Sequence, residues 1–198
     1  MIYFKGGGMN KSKKKFNLKN EYNKVIIPYI ITGAVIILSS FFYYIFVYDS
    51  DYLDLKKKYI WLNKEIYHII NVNHELYENK KYNLSKEFIC AVIQIESGNA
   101  CKNKLSCMLK VKSKANAIGL MQVLYIHRSK NPEILEDPVV NINVGCGYLY
   151  ACMLQAKGNK MEACRLYNAG LNNKRDRYRN WIYVAKILNS YNDFIINR

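Results

Sequence analysis

From Val25 to Tyr48 the chain runs for 24 residues without one charged side chain, rich in Ile, Phe and Tyr. A core helix of a small protein is seldom apolar on every face for that long, whereas about 20 apolar residues match the thickness of a bilayer. The run is therefore read as a transmembrane helix, and it divides the chain into a short leading piece and a long trailing one. It exceeds the ~7–15 apolar residues of a signal peptide. Phe41-Phe42-Tyr43-Tyr44 also continues it past the small pair Ser39-Ser40, so an uncleaved anchor is expected. Tyr43, Tyr44 and Tyr48 suit the aromatic belt at a membrane surface. The flanks orient the helix: Lys5, Lys11, Lys13, Lys14, Lys15, Lys19 and Lys24 precede it against Glu21, and Asp49, Asp51 and Asp54 follow it. By the positive-inside rule the N-terminus stays in the cytoplasm and residues 49–198 lie in the periplasm or extracytoplasmic space, as a single-pass protein of the cytoplasmic (inner) membrane.

The 198 residues leave room for one compact domain after the anchor. Of the net charge of +15, the leading stub holds +6, from seven lysines and one glutamate, which leaves +9 beyond the helix. So basic a chain suits nucleic acid, an anionic membrane or an acidic polymer. The expected topology disfavours nucleic acid and leaves an anionic cell wall as the simpler partner. All six cysteines (Cys90, Cys101, Cys107, Cys146, Cys152 and Cys164) follow the apolar run, in a compartment that permits disulfides. Cys101 and Cys107 share one polar loop and are the expected pair. The other four fit buried free thiols equally well. With no Cys-x-x-Cys and with His68, His74 and His127 scattered, no zinc site is expected, nor any other metal or organic cofactor.

The periodicity is helical throughout. Residues 1–24 form a basic stub with nothing to bury. Residues 49–83 carry Tyr59, Leu62, Ile66, Ile69, Asn73 and Leu76 at helical spacing. They form an amphipathic linker that acts as a stalk or packs as the first helix of the domain. From residue 84 onward Ser85 marks an N-cap with Glu87 in the first turn, before Phe88, Ile89, Val92, Ile93 and Ile95. Ser97-Gly98-Asn99 is expected to end that helix. A polar loop over 99–117, a short element near Gly119–Tyr125 and helices over about 138–157, 161–168 and 178–191 follow. The fold class is mainly α.

The chemistry centres on Glu96. Spacing from Ile89 and Val92 sets it on the apolar face of its helix, in the last turn, where burial and the helix dipole both favour the protonated acid. A general acid near neutral pH needs such a raised pKa. Two further segments supply amides and an aromatic ring: Gly119-Leu120-Met121-Gln122 and Tyr167-Asn168-Ala169-Gly170. Ser97 is within reach of the same carboxyl group. Gly119 would let backbone approach a ligand, and Gln122 and Asn168 would hold a carboxyl or a sugar. Met121 fits core or substrate lining equally, as does Tyr167. Trp61 and Trp181 are read as packing residues.

Glu96-Ser97, Gly119-Leu120-Met121-Gln122 and Tyr167-Asn168-Ala169-Gly170, in that order, resemble the lytic transglycosylases of the lysozyme-like superfamily. The loop Ser113–Gln122 is similar to theirs, as are Asp137-Pro138, Asn141-Ile142 and Gly145 to Leu149. Tyr183-Val184 looks like a late pair in that family whose tyrosine faces the catalytic acid, with Tyr178 as the competing match. The basic segment Lys174, Arg175, Arg177 and Arg179 departs from the pattern. The resemblance implies a lysozyme-like catalytic domain over 84–198. Glu96 would be the single catalytic acid and base, with Ser97, Gly119, Met121, Gln122, Tyr167, Asn168 and Tyr183 around the substrate. The reaction implied is cleavage of the MurNAc-GlcNAc β-1,4 bond of peptidoglycan to 1,6-anhydro ends. A hydrolytic lysozyme on the same fold would need a second carboxylate near the site, for which Asp137 and Asp176 are the candidates; Glu162 is read as a solvated surface charge. A cell-wall-binding component of a secretion or conjugation machine would keep the groove without the chemistry.

Overall fold

The computed structural model describes residues 18–124, 131–173 and 178–196, and gives only the helical backbone for 18–29, 43–49, 178–179 and 193–196. The stub over 1–17, His127, Lys174, Arg175, Asp176, Arg177 and the side chains of Tyr178 and Arg179 lie outside that description. The chain divides into two compact units, Met1–Asp49 and Ser50–Arg198.

In the first unit the described chain belongs to α1 (Leu18–Lys58), which continues across the division. Ile30, Ile31, Val35, Ile36, Ile37, Leu38, Phe41 and Phe42 are each more than half exposed. Ser39 and Ser40 donate their hydroxyls back to the Ile36 carbonyl at 2.9 and 2.8 Å, so neither is an unpaired polar group on the helix surface. Among the described residues no helix is long and apolar enough to cross a membrane. The expected span over 25–48 reaches at both ends, including Tyr43, Tyr44 and Tyr48, into side chains that lie outside the described residues.

The second unit is helical: α2 (Lys64–Glu78), α3 (Lys86–Ile93), a π turn (Gln94–Gly98), α4 (Leu105–Met108), a 3-10 turn (Pro132–Glu136), α5 (Pro138–Gln155), α6 (Lys160–Ala169) and α7 (Tyr178–Ile196). Two short strands, β1 (Ala117–Ile118) and β2 (Val123–Leu124), pair antiparallel with Ala117 opposite Leu124. The helix starts are specified locally. Asn63, Ser85, Asp137 and Asn159 each accept a backbone N–H from the first turn, at 2.8, 3.3, 3.0 and 3.1 Å, and Pro138 opens α5 where no N–H partner is needed. Helix α3 is the hub: Phe88 to Ile93 are all buried, with α2 and α7 packed against it and α5 and α6 completing the ring.

Residues 50–83 are part of this domain, so the expected boundary between 83 and 84 does not fall there. Leu55, Tyr59, Leu62, Ile66 and Ile70 are fully buried. At about 2 kcal/mol per buried side chain, a detached stalk would forgo on the order of 10 kcal/mol. The helix expected from Tyr59 onward breaks at 59–63, where Asn63 restarts it as α2, and Leu76 lies on the exposed face. Cys90, Cys146, Cys152 and Cys164 are buried free thiols, and Cys101 is bonded to Cys107.

Candidate active site

Glu96 sits at the centre of the π turn that prolongs α3. The helix ends where expected, at Gly98 with Asn99 as its C-cap, but through a π turn. Asn99 stays helical at φ −65°, and the ladder widens, with Asn99 N–H donating to the Gln94 carbonyl at 3.0 Å and Asn103 N–H to that of Gly98 at 2.8 Å. Such widened turns recur at functional sites. At Gly98 a Cβ would lie 2.9 Å from Gln94 Nε2 and 3.1 Å from Asn103 Oδ1, so a side chain there would displace these amides.

The Tyr183 hydroxyl donates to Glu96 Oε1. Burial of the carboxyl pushes the Glu96 pKa up to about 7, and the tyrosine hydrogen bond, which favours the charged form, pulls the other way. Part of the side chain still reaches solvent, so the acid is desolvated but accessible. Burial, and then the charge of Glu96, hold the Tyr183 phenol well above its ordinary value, so it remains a neutral donor. Burial acts on Glu96 in the direction anticipated and outweighs the tyrosine.

Ser97 does not reach that carboxyl. Its buried hydroxyl bonds the Leu120 carbonyl at 2.9 Å and that of Ile93 at 3.3 Å, which ties the π turn to the loop Gly119–Gln122. In that loop Gly119 is buried at φ +79°, and a Cβ on it would lie 2.3 Å from Asn141 Nδ2 and 2.7 Å from the Leu135 carbonyl. The close approach is to Asn141 rather than to a ligand. Asn141 in turn donates to the carbonyls of Ile118 and Leu135, each at 2.8 Å, and accepts from Met121 N–H at 2.8 Å. Met121 is fully buried and fills the space that Gly145 leaves open. Gln122, at φ +48°, donates to the carbonyls of Val111 and Gly119, both at 3.0 Å.

Tyr167 fastens the third segment to the second by donating to the Met121 carbonyl at 2.8 Å. Asn168 is exposed and donates to Asn180 Oδ1 at 3.1 Å; the Nδ2 of buried Asn180 has no hydrogen-bond partner among the described residues. A cleft of about 150 Å³ is lined by Gln122, Val123, Leu124, Val144, Tyr148 and the run Tyr167 to Gly170. Tyr167 links cleft and acid, being close enough for the Glu96 charge to raise its own pKa after burial has done so.

No described carboxylate contributes to the Glu96 shift. Asp137 is an exposed N-cap of α5, and Asp176 lies outside the described residues. Glu162 is not simply solvated: it grips the buried Arg165 with both oxygens, at 2.6 and 2.7 Å. Three features were not singled out from the residues: Gln94, Asn180 and the role of Asn141. Gln94 carried a visible signal, a lone amide inside the apolar run Phe88–Ile95, whereas Asn180 carried none. Trp61 is buried as expected, and its N–H donates to Gln94 Oε1 at 2.7 Å.

The domain is thus helical, with a desolvated acid held by a tyrosine and joined to a cleft through Tyr167. The model of the transglycosylase SLT domain matches residues 75–188, and the chain belongs to that family. Its fold is similar to that of the lytic transglycosylase Slt of Pseudomonas aeruginosa, solved as an inactive mutant, with a TM-score of 0.51 and 20% identity over 66% of this chain and 24% of that one. The 70 kDa soluble lytic transglycosylase of Escherichia coli matches with a TM-score of 0.40 and 25% identity, over 61% of this chain and 19% of that one. The chain thus spans about a quarter or less of the length of the solved proteins it matches. No curated protein matches it.

Proposed function

We infer that this protein is a peptidoglycan lytic transglycosylase in which Glu96 serves alone as acid and then as base. The observation that carries the reading is a carboxyl group whose pKa is raised to about 7 by burial, held by the neutral Tyr183 hydroxyl, in a domain of the SLT family. At neutral pH a large share of Glu96 is protonated and able to give its proton to the oxygen joining MurNAc to GlcNAc. The resulting carboxylate, stabilised by Tyr183, takes the proton of the muramic C6 hydroxyl as that oxygen attacks the anomeric carbon. The glycosidic bond breaks, the 1,6-anhydro bond forms, and the acid ends as it began. Internal attack needs no water-activating carboxylate, which agrees with the absence of any described carboxylate among the influences on Glu96. Gln122 and Asn168 would face sugar polar groups, with Val123, Leu124, Val144 and Tyr148 against the apolar sugar face.

The same reading includes a single membrane anchor over 25–48, the N-terminus in the cytoplasm and the domain outside. Its supports are the uncharged run, the lysine-rich stub before it, and the exposed apolar side chains from Ile30 to Phe42. Service to a secretion or conjugation machine is compatible with a small anchored enzyme.

The test is to incubate the protein and its Glu96→Gln variant with insoluble peptidoglycan and to weigh the released fragments by mass spectrometry. Anhydro-ended muropeptides that disappear with the variant are expected. Reducing ends would indicate a hydrolase, and release unaffected by the variant would remove Glu96 from the chemistry.

A further inference from the structure

The π turn bearing Glu96 is held from outside the stretch that matches the family model. Trp61, in the turn between α1 and α2, lies ahead of residues 75–188. Its ring is 3% exposed, so its N–H must find an acceptor within the protein. That acceptor is Gln94 Oε1, at 2.7 Å. An indole N–H can only donate, which fixes the orientation of the Gln94 amide and leaves its Nε2 to donate elsewhere. It does so to Asn99 Oδ1 at 2.7 Å and Asn103 Oδ1 at 2.9 Å. The Gln94 carbonyl also accepts the Asn99 N–H that defines the widened turn. Gln94 therefore spans the turn from its first residue to the residue just after it, with Glu96 between.

The far side of this bracket is itself fastened. Asn103 holds a left-handed conformation at φ +59°, inside the ring closed by Cys101 and Cys107. Gly98 leaves room for the amide to pass, since any Cβ there would press on Gln94. Indole, glutamine and the two asparagines form one chain of side-chain hydrogen bonds, and none of these residues touches Glu96 or Tyr183 in it.

We propose that Trp61 and Gln94 are positioning residues, which hold the π turn so that the Glu96 carboxyl meets the Tyr183 hydroxyl. The proposal rests on the reading of Glu96 as the acid. It makes the segment ahead of the family domain a working part of the site rather than a tether.

Trp61→Phe removes the N–H and keeps most of the ring, and Asn103→Gly removes the far acceptor while tolerating the positive φ. In the full chain each is expected to lower kcat about tenfold with KM within about twofold, as a misaligned acid does. Each should also move the midpoint of the Glu96 carboxyl titration, followed by 13C NMR of protein labelled at the glutamate side-chain carbon. The Trp61→Phe/Asn103→Gly double variant should lose little more than either single one, because both cut the same chain. Unchanged kcat and an unchanged midpoint in both variants would overturn the proposal. So would losses that appear in KM together with a lowered melting temperature. The NMR readout does not depend on activity: if Glu96→Gln kept full activity, the acid assignment would fail, while the midpoints would still decide whether the bracket positions Glu96.

Discussion

Replacing Glu96 by Gln should stabilise the protein, and only at high pH. The folded pKa is raised from 4.5 to about 7, so the folded state keeps its proton through a range in which the unfolded chain has lost it. Stability therefore falls as pH rises from below 4.5 to about 7 and is level beyond, where both states are ionised. The displacement of about 2.5 units, at 1.36 kcal/mol per unit, corresponds to about 3 kcal/mol lost by the wild-type protein between pH 4 and pH 8.5. Gln has the shape of the protonated acid, does not titrate, and offers an oxygen to the Tyr183 hydroxyl. For a domain of this size about 3 kcal/mol corresponds to roughly 6–12 °C in melting temperature.

The assay is thermal unfolding of wild type and Glu96→Gln followed by near-ultraviolet circular dichroism across that pH range. Every other titrating group is common to both proteins and cancels in the difference. The expected result is a small difference at pH 4 and a variant several degrees more stable at pH 8.5. A difference that does not change with pH would refute the reasoning, since it would mean that Glu96 has the same pKa folded and unfolded. A variant less stable at high pH would mean that the carboxylate, not the acid, is the form the fold favours.

Tyr183→Phe removes the one influence that lowers the Glu96 pKa. The alkaline limb of the pH–rate profile should move to higher pH while kcat drops about tenfold or more, both read from fragment release at several pH values. Asn141→Ala strands the Met121 N–H and frees the carbonyls of Ile118 and Leu135, all buried partners. It should cost about 3 kcal/mol or more in urea unfolding, with a matching loss of activity as the Gly119–Gln122 loop loosens. Opening the ring between Cys101 and Cys107 with a double Ser variant should cost about 2 kcal/mol by the chain-entropy estimate, measured by the same unfolding.

The helices of the domain and the inward setting of Glu96 were legible because both rest on local rules. Ser85 announces a helix start by capping chemistry, and the apolar spacing of Ile89 and Val92 points Glu96 inward. The widening of α3 into a π turn was not legible. Ser97-Gly98-Asn99 does end the helix, but whether the last turn is α or π depends on what Gln94 and Asn103 do with their side chains. Residues 50–83 were equally ambiguous. An amphipathic helix looks the same whether it covers a domain or stands off from it, and only the burial of Leu55, Tyr59, Leu62, Ile66 and Ile70 decides.

The motif residues divide in a way that spacing does not reveal. Gly119, Met121 and Ser97 read as residues that meet a ligand, yet each is buried and engaged with the protein: Gly119 against Asn141, Met121 against Gly145, Ser97 on the Leu120 carbonyl. Of the motif residues, Gln122 and the run Tyr167 to Gly170 line the cleft. A cleft-forming loop has few helical bonds of its own, so neighbouring amides and hydroxyls must satisfy its backbone. Ser97, Asn141, Gln122 and Tyr167 do this for the loop between β1 and β2, and two of them also line the cleft. A short run such as Gly-Leu-Met-Gln is thus specified mainly by the demand that a loop hold its shape beside an acid. That accounts for how the tetrapeptides mark the loop and the cleft while saying little of which of their residues line it.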